Sequence, residues 1–348
     1  MTKLHKEIEV EAGASIIRDG GIVAFRTETV YGLGADATNA EAVAKVFEAK
    51  GRPADNPLIV HFASLKHLRK YFPNIDDDTV RVFDNFKRAL TVVLPKPEQI
   101  PDIVTGGKDS VAVRIPGCFF ARRFIKRCGV PIAAPSANTT SRPSPTSWQD
   151  VYEDLNKKID AIFMGRSCKY GIESTVIKIV ENDSVHATSK EDLRAKILVL
   201  RLGSVDVKSL AKKMKMKVEV LGDSPDEMKI RHASPGTRFK HYAPSCPVIT
   251  FPYDDSMSAN IISYATEQIN LGKSLVILSH SSNRYLYPGI PVMHLGWTAR
   301  RVAKSLFSTF RVAEKGADLI ICEMFPNTLA FAAVNERITK ASQKGIDS

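Results

Sequence analysis

A chain of 348 residues is long enough for two domains of ordinary size, and 44% apolar with 25% charged residues is the balance of a soluble globular protein. A net charge of +11, from 49 basic against 38 acidic residues, favours an anionic partner such as nucleotide, phosphate or nucleic acid. The five cysteines stand singly without a C-x-x-C pair, no apolar run approaches the ~18 residues of a membrane span, and M-T-K-L-H-K-E-I-E-V-E lacks an apolar core, so a cysteine zinc site, a disulfide framework, a membrane helix and a signal peptide are not expected and a reduced, cytoplasmic setting is.

In chain order, residues 8 to 18 read as a helix with Ile8, Ala12, Ile16 and Ile17 on one face, closed by Gly20-Gly21. I-V-A-F-R is a short strand. The segment T-E-T-V-Y-G-L-G that follows it reads, on its own, as a glycine turn between strand and helix, with hydroxyls suited to a small polar substrate. Residues 39 to 49 form a helix capped by Asn39. It ends in K-G-R-P, where Pro53 forbids further helix, and the strand L-I-V-H-F follows, ending near His61. Ser64 caps the next helix, through S-L-K-H-L-R-K-Y-F. Further strands are expected at 89–95, 110–116, 131–137, 161–164, 174–180 and 197–202, with helices between several of them, an α/β pattern of about 200 residues. Residues 204–246, rich in Pro, Gly, Ser and charge, read as a linker between a domain at 1–203 and a second α/β domain at 247–348. The second has strands at V-I-T-F-P, S-L-V-I-L-S and D-L-I-I-C-E and helices near 257–271, 298–315 and 327–343.

Two Gly-Lys sites fail as phosphate loops. T-G-G-K-D-S has Asp102 and Asp109 where Gly and Ser or Thr are needed, and L-G-K-S has Glu267 in place of the first Gly. The K-G-R-P corner is more pointed. Lys50 and Arg52 lie where a helix C-terminus attracts cations, so they read equally as dipole caps and as an anion clamp in which Arg offers a fork and Lys a point charge. A-P-S-A-N-T-T-S-R-P-S-P-T begins at a strand end, where open α/β sheets bind ligands, and Y-G-I-E-S-T-V-I carries Glu173 and Ser174 into a strand. His61 and Arg114, each at the end of an apolar run, read singly as structural residues.

Taken together, T-E-T-V-Y-G-L-G-A-D-A, K-G-R-P-x-x-x-P-L-I-V-H, V-A-V-R-I-P, A-P-S-A-N with P-S-P-T, and E-S-T-V, in this order over about residues 10 to 205, resemble the threonylcarbamoyl-AMP synthase family, the YrdC-like proteins. S-P-G-T-R-F-K-H-Y-A-P and the tail with A-A-V-N-E-R-I-T-K-A resemble its long form, which has an additional C-terminal domain. The resemblance implies a twisted open α/β sheet around a basic cavity plus a smaller Rossmann-like domain. It implies a reaction in which L-threonine, bicarbonate and ATP, with Mg2+, give threonylcarbamoyl-AMP and pyrophosphate. A tRNA threonylcarbamoyl transferase machinery then acts on adenosine 37 of tRNA.

By the same resemblance Lys50 and Arg52 face the nucleotide phosphates and are the residues assigned to catalysis. Asn56, Ser110, Ser136, Asn138, Ser144 and Arg201 surround the nucleotide, and Arg238, His241 and Tyr242 belong to a segment that returns over the cavity as a lid. Thr29, His61, Arg114, the backbone at Ala134, and Ser174 form the threonine pocket, with the Arg114 fork suited to a carboxylate. The chain departs from the family pattern at Arg26, at T-T-S-R after S-A-N, at Lys178, and at Arg-Leu-Gly near 201. Arg26 is expected to add a cation near the cavity. Two alternatives remain: a non-catalytic RNA-binding module, weakened by the lack of aromatics interleaved in a basic stripe, and carbamoyl transfer of the hydrogenase-maturation kind, weakened by the lack of paired-cysteine motifs. Weak RNA binding beside the synthase reaction is a further expectation.

Overall fold

The computed structural model describes residues 1–86, 89–181, 195–222, 224–231 and 242–342. The chain divides into two compact units: Met1–Thr139, Ser147–Cys168 and Glu173–Arg238 in the first, and Thr140–Thr146, Lys169–Ile172 and Phe239–Ser348 in the second. Both are mixed α/β. Among the described residues no helix is long and apolar enough to cross a membrane.

The first unit runs β1 (Lys3–Lys6), α1 (Val10–Arg18), β2 (Val23–Arg26), β3 (Tyr31–Asp36), α2 (Ala40–Lys50), β4 (Ile59–His61), α3 (Leu65–Leu68), α4 (Asp77–Asn85) and β5 (Leu90–Pro95). It continues with α5 (Asp102–Thr105), β6 (Ser110–Arg114), α6 (Phe119–Cys128), β7 (Ile132–Ala133), α7 (Trp148–Leu155), β8 (Ala161–Met164), β9 (Thr175–Val180), β10 (Lys196–Arg201), α8 (Val207–Met214), β11 (Val218–Val220) and α9 (Pro225–Arg231). Its strands form one sheet in the order β1-β8-β2-β3-β7-β4-β6-β5-β9-β10-β11. Several apolar clusters pack on it. One holds Leu33, Val43, Phe62 and Val113; another gathers Phe25, Phe120, Phe124 and Phe163, where α1 and α6 pack; a third holds Val93, Val176 and Leu200. Each such ring contributes ~1.5–3 kcal/mol on burial.

The local chemistry explains most boundaries. Asn39 accepts from the Ala42 amide to start α2, Ser64 accepts from His67 to start α3, and Ser147 forms a reciprocal capping box with Asp150 at α7. Helix α1 buries Val10, Gly13, Ala14 and Ile17, whereas Ile8 precedes the helix and is exposed, so the buried face is not the one expected from Ile8 and Ala12. The glycine turn expected at 31–34 is instead strand β3, paired antiparallel with β2 so that Arg26 meets Tyr31. Gly34 is needed there for close approach: a Cβ would stand 2.6 Å from Ile132 and 2.8 Å from Phe25. The stretch 204–231, read as linker, carries α8, β11 and α9, and β11 extends the sheet parallel to β10.

The second unit contains β12 (Val248–Phe251), α10 (Met257–Asn270), β13 (Leu275–His280), β14 (Val292–Gly296), α11 (Ala299–Ala313), β15 (Leu319–Glu323) and α12 (Leu329–Ser342). Its four strands are all parallel in the order β12-β15-β13-β14. The buried runs L-V-I-L and L-I-I-C suit central strands covered on both faces, while the half-exposed edge strand β14 had no such signature. Segments 140–146 and 169–172 belong to this unit. Arg142 forks onto Glu314 at 2.6 and 2.7 Å, and the buried Arg311 donates to the Pro143 carbonyl. The T-T-S-R departure therefore has a partner of its own within the unit.

Candidate active site

The K-G-R-P corner closes α2 through its backbone. Gly51 takes the left-handed conformation at φ 58°, and its N–H reaches the Glu48 and Phe47 carbonyls. The Lys50 side chain is thus not the cap. It is buried and leaves the helix, donating to the Ser136 carbonyl at 2.5 Å and to the Asn138 carbonyl. Lys50 thereby ties the end of α2 to the loop after β7. Arg52, half-buried, folds over its own loop and donates from Nε to the Asn56 carbonyl and from Nη2 to the Pro57 carbonyl. Asn56 is buried, and its Nδ2 has no hydrogen-bond partner. Ser136 donates to Asn138 Oδ1 at 2.5 Å, and Asn138 Nδ2 donates to the Thr139 carbonyl.

Strand register sets the level of these groups. β4 and β6 run parallel with Ile59 opposite Ala112 and His61 opposite Arg114. Extended by two residues, the same register puts Ser110 level with Pro57, beside the corner loop. Lys50, Arg52, Asn56, Ser110, Ser136 and Asn138 thus gather toward the entry of β4 and β6, and His61 and Arg114 sit at their exit. Ala134 is held between, its N–H donating to the Ile59 carbonyl.

At the exit a line of buried polar side chains crosses four strands. Arg114 donates from Nη2 to Glu28 Oε1 at 2.6 Å, and the Glu28 carboxylate also accepts from the Ala89 and Cys118 amides. Thr91, opposite Arg114 on β5, lies 2.8 Å from Ser174 Oγ, and Arg201 Nη2 donates to the Ser174 carbonyl at 2.9 Å. Thr29, also buried, pairs with Thr27 at the β2–β3 turn. Each of these side chains is under a tenth exposed. Burying an ion pair in an apolar sheet costs several kcal/mol per ion and rarely stabilises a fold better than apolar packing does. The Arg114 Nε atom is buried with no hydrogen-bond partner among the described residues.

The electrostatics follow the geometry. Burial alone would raise the Glu28 carboxyl, but the Arg114 charge and hydrogen bond, together with backbone amides, outweigh it and hold the group at about 2. Burial, reinforced by the Arg114 charge, lowers His61 to about 3. His61 is therefore neutral at physiological pH, with Nδ1 3.1 Å from the Ile59 carbonyl and its ring edge-on to Phe25. Arg26 does not add a free cation. It forks onto Glu7 at 2.7 and 3.2 Å, and that hydrogen bond raises its pKa further.

The remaining assigned residues lie elsewhere. Ser144 belongs to the second unit. So does Tyr242, whose ring stacks on Phe307 with the Arg337 guanidinium over it. Arg238 and His241 fall outside the described residues. Glu28 and Thr91 had no role assigned from sequence. The signal for Glu28 was present, a carboxylate between two threonines next to an apolar strand, but nothing local pointed to Arg114 as its partner. Thr91 reads as an ordinary strand residue until β5, β6 and β9 are set side by side. Among the described residues no group of three metal-ligating side chains stands together, and the Glu28 carboxylate is already occupied.

The family model described as "Telomere recombination" (Sua5/YciO/YrdC) matches residues 15–188, and that for the "Threonylcarbamoyl-AMP synthase, C-terminal domain" matches residues 188–343. The chain is 37% identical to the threonylcarbamoyl-AMP synthase of Pyrococcus abyssi over 97% of its length and 95% of the relative's. To that of Bacillus subtilis it is 34% identical, over 96% and 93%. A crystal structure of P. abyssi Sua5 complexed with L-threonine superposes with a TM-score of 0.83 at 35% identity, covering 99% of this chain and 98% of that one. Escherichia coli YciO, at 20% identity and a TM-score of 0.51, shares the fold over 60% of the chain. With both family models matched in tandem and relatives aligned nearly end to end, this chain belongs to the threonylcarbamoyl-AMP synthase family.

Proposed function

We propose that this protein converts L-threonine, bicarbonate and ATP to threonylcarbamoyl-AMP and pyrophosphate, the activated donor for threonylcarbamoylation of tRNA at adenosine 37. The observation that carries the threonine assignment is the buried Arg114, pinned at one nitrogen by Glu28 and left with an unpartnered Nε. A carboxylate is the ligand that such an edge answers. Fixed by Glu28, the guanidinium meets it without reorganising, and neutral His61 adds polarity without a competing charge.

The chemistry needs alignment more than a protein nucleophile. The threonine amine adds to the bicarbonate carbon, and loss of water leaves a carbamate. A carbamate oxygen then attacks the α-phosphorus of ATP, and the bond to the β-phosphate oxygen breaks to release pyrophosphate. Two anions must approach each other, so the residues that count neutralise charge and hold geometry. Lys50 and Arg52 are assigned to the phosphates, with Asn56, Ser110, Ser136, Asn138 and Arg201 around the nucleotide and the Asn56 amide offering an unpartnered donor. Thr29, Ser174 and the backbone at Ala134 line the threonine side. Mg2+, carried on the phosphate oxygens, supplies charge neutralisation when bound; the described residues form no metal cluster of their own. The product is a mixed anhydride open to hydrolysis, so a tRNA-directed transferase must take it up promptly.

Incubation with ATP, Mg2+, bicarbonate and radiolabelled threonine tests this. The expected result is a labelled AMP adduct with stoichiometric pyrophosphate. Pyrophosphate release that does not depend on threonine would contradict the proposal.

A further inference from the structure

Strand register lines up one row of side chains across neighbouring strands of the first unit. His61 on β4 pairs with Arg114 on β6, Arg114 with Thr91 on β5, Thr91 with Val176 on β9, and Val176 with Arg201 on β10. Residues directly opposite in a ladder share one face of the sheet. Thr91 therefore stands between Arg114, assigned to the threonine carboxylate, and Arg201, assigned to the nucleotide. Two residues on, and on the same face, Val93 joins Ala112 and Val176 in an apolar cluster. A valine would suit position 91 equally well by packing and strand preference, so the hydroxyl there needs its own reason.

The hydrogen bonds supply that reason. The buried Thr175, on the adjacent strand, gives its proton to the Val205 carbonyl, and Thr2, Thr27 and Thr105 likewise donate to carbonyls. The Thr91 hydroxyl meets no carbonyl or carboxylate among the described residues and pairs with Ser174 Oγ at 2.8 Å. Thr91 is fully buried, so a proton withheld from Ser174 would be an unmade donor inside the sheet, which is costly. Thr91 thus donates and Ser174 accepts. Ser174 Oγ also lies 3.3 Å from Arg201 Nη2, a second donor. Both lone pairs of that oxygen are then engaged, and its own proton has no acceptor among the described residues.

We propose that Thr91 is a positioning residue for the synthase reaction: by donating to Ser174 it fixes the Ser174 hydroxyl as a donor for the carboxylate of threonine. The inference rests on the reading of Arg114 and Ser174 as parts of the threonine pocket. Thr91, with no exposed surface, acts through Ser174 rather than on the substrate. A hydroxyl free to rotate can turn either its proton or a lone pair toward an anion. One locked as a donor presents the proton alone, and a hydrogen bond to an ionised acceptor is stronger than a neutral one. The carboxylate then has the Arg114 guanidinium on one strand and a preset hydroxyl beside it.

The test is Thr91→Val, which keeps the branched shape and removes the hydroxyl, beside Thr91→Ser, which keeps the hydroxyl. Pyrophosphate release is measured against threonine and against ATP, threonine binding by calorimetric titration, and thermal melting alongside. Thr91→Val is expected to raise the threonine KM and Kd about fivefold, with the ATP KM and the melting temperature essentially unchanged. Thr91→Ser should bind threonine within about twofold of the unmodified protein. A purely structural role predicts a different pattern, lower melting with both Michaelis constants raised together. That pattern, an unchanged threonine Kd in Thr91→Val, or a Thr91→Ser variant as weak as Thr91→Val would overturn the proposal. Threonine binding without threonine-dependent pyrophosphate release in the unmodified protein would instead sink the synthase reading, and the calorimetric comparison would still decide the role of Thr91.

Discussion

Glu28 in the first unit and Glu323 in the second are buried carboxylates held in opposite ways. Glu323 closes β15 and accepts from Ser279, the His280 amide, Asn283 and, at 2.5 Å, the Tyr287 hydroxyl. All its donors are neutral, and nothing beside it is left unsatisfied. Glu28 accepts two amides and a guanidinium, and the guanidinium keeps an orphaned nitrogen. The first arrangement fixes a loop. The second fixes a cation whose Nε finds no hydrogen-bond partner among the described residues. Burial of a charge does not distinguish structure from function, but the satisfaction of its neighbours does.

That contrast can be broken most forcefully at Arg114. Arg114→Ala should raise the threonine KM about a hundredfold while the ATP KM moves little, and should cost ~3 kcal/mol of stability by stranding the Glu28 charge. Equal effects on both substrates in steady-state kinetics would remove the carboxylate assignment. Lys50→Ala should cost ~2 kcal/mol, because its ammonium answers two carbonyls, and should lower turnover as well; chemical denaturation and pyrophosphate release read the two effects.

Acid should act on the same region. His61 has a folded pKa of about 3 against about 6.5 when unfolded. The folded state therefore binds fewer protons between those values, and stability falls as pH drops through that window, by ~2 kcal/mol between pH 7 and pH 5. His61→Asn should flatten the difference in denaturation curves at the two pH values. Glu28, lowered to about 2 from about 4.3, contributes stability above pH 4.3 that is lost as pH falls towards 2.

Smaller effects sharpen the comparison. Arg52→Ala should raise the nucleotide KM about tenfold with melting nearly unchanged, because the side chain is half-exposed and donates to two carbonyls of its own loop. Collapse of melting with nucleotide affinity intact would make Arg52 a structural residue. Glu323→Gln should cost ~1 kcal/mol and leave both Michaelis constants unchanged.

Much of this was legible in the sequence, for physical reasons that differ by element. Helices with side-chain caps at Asn39 and Ser64 announced themselves, and so did the apolar strands. Strand β3 did not, because its two glycines read as a turn; the neighbouring Ile132 and Phe25 explain Gly34. β1 and β14 are short, half-exposed or exposed edges with no periodic signal. In the site, residue types and their order pointed to the corner and to Arg114. The partners of Arg114 and Lys50 lie 86 or more residues away in sequence, and no local pattern encodes such a pairing. The grouping of segments 140–146 and 169–172 with the second unit was invisible for the same reason.

The central claim is that the unanswered edge of Arg114 awaits the carboxylate of threonine. Calorimetric titration of the unmodified protein with L-threonine and with L-threoninol, which keeps the amine and hydroxyl but lacks the carboxylate, tests it without altering the fold. Threonine should bind and threoninol should bind at least about a hundredfold more weakly. Equal affinities would contradict it.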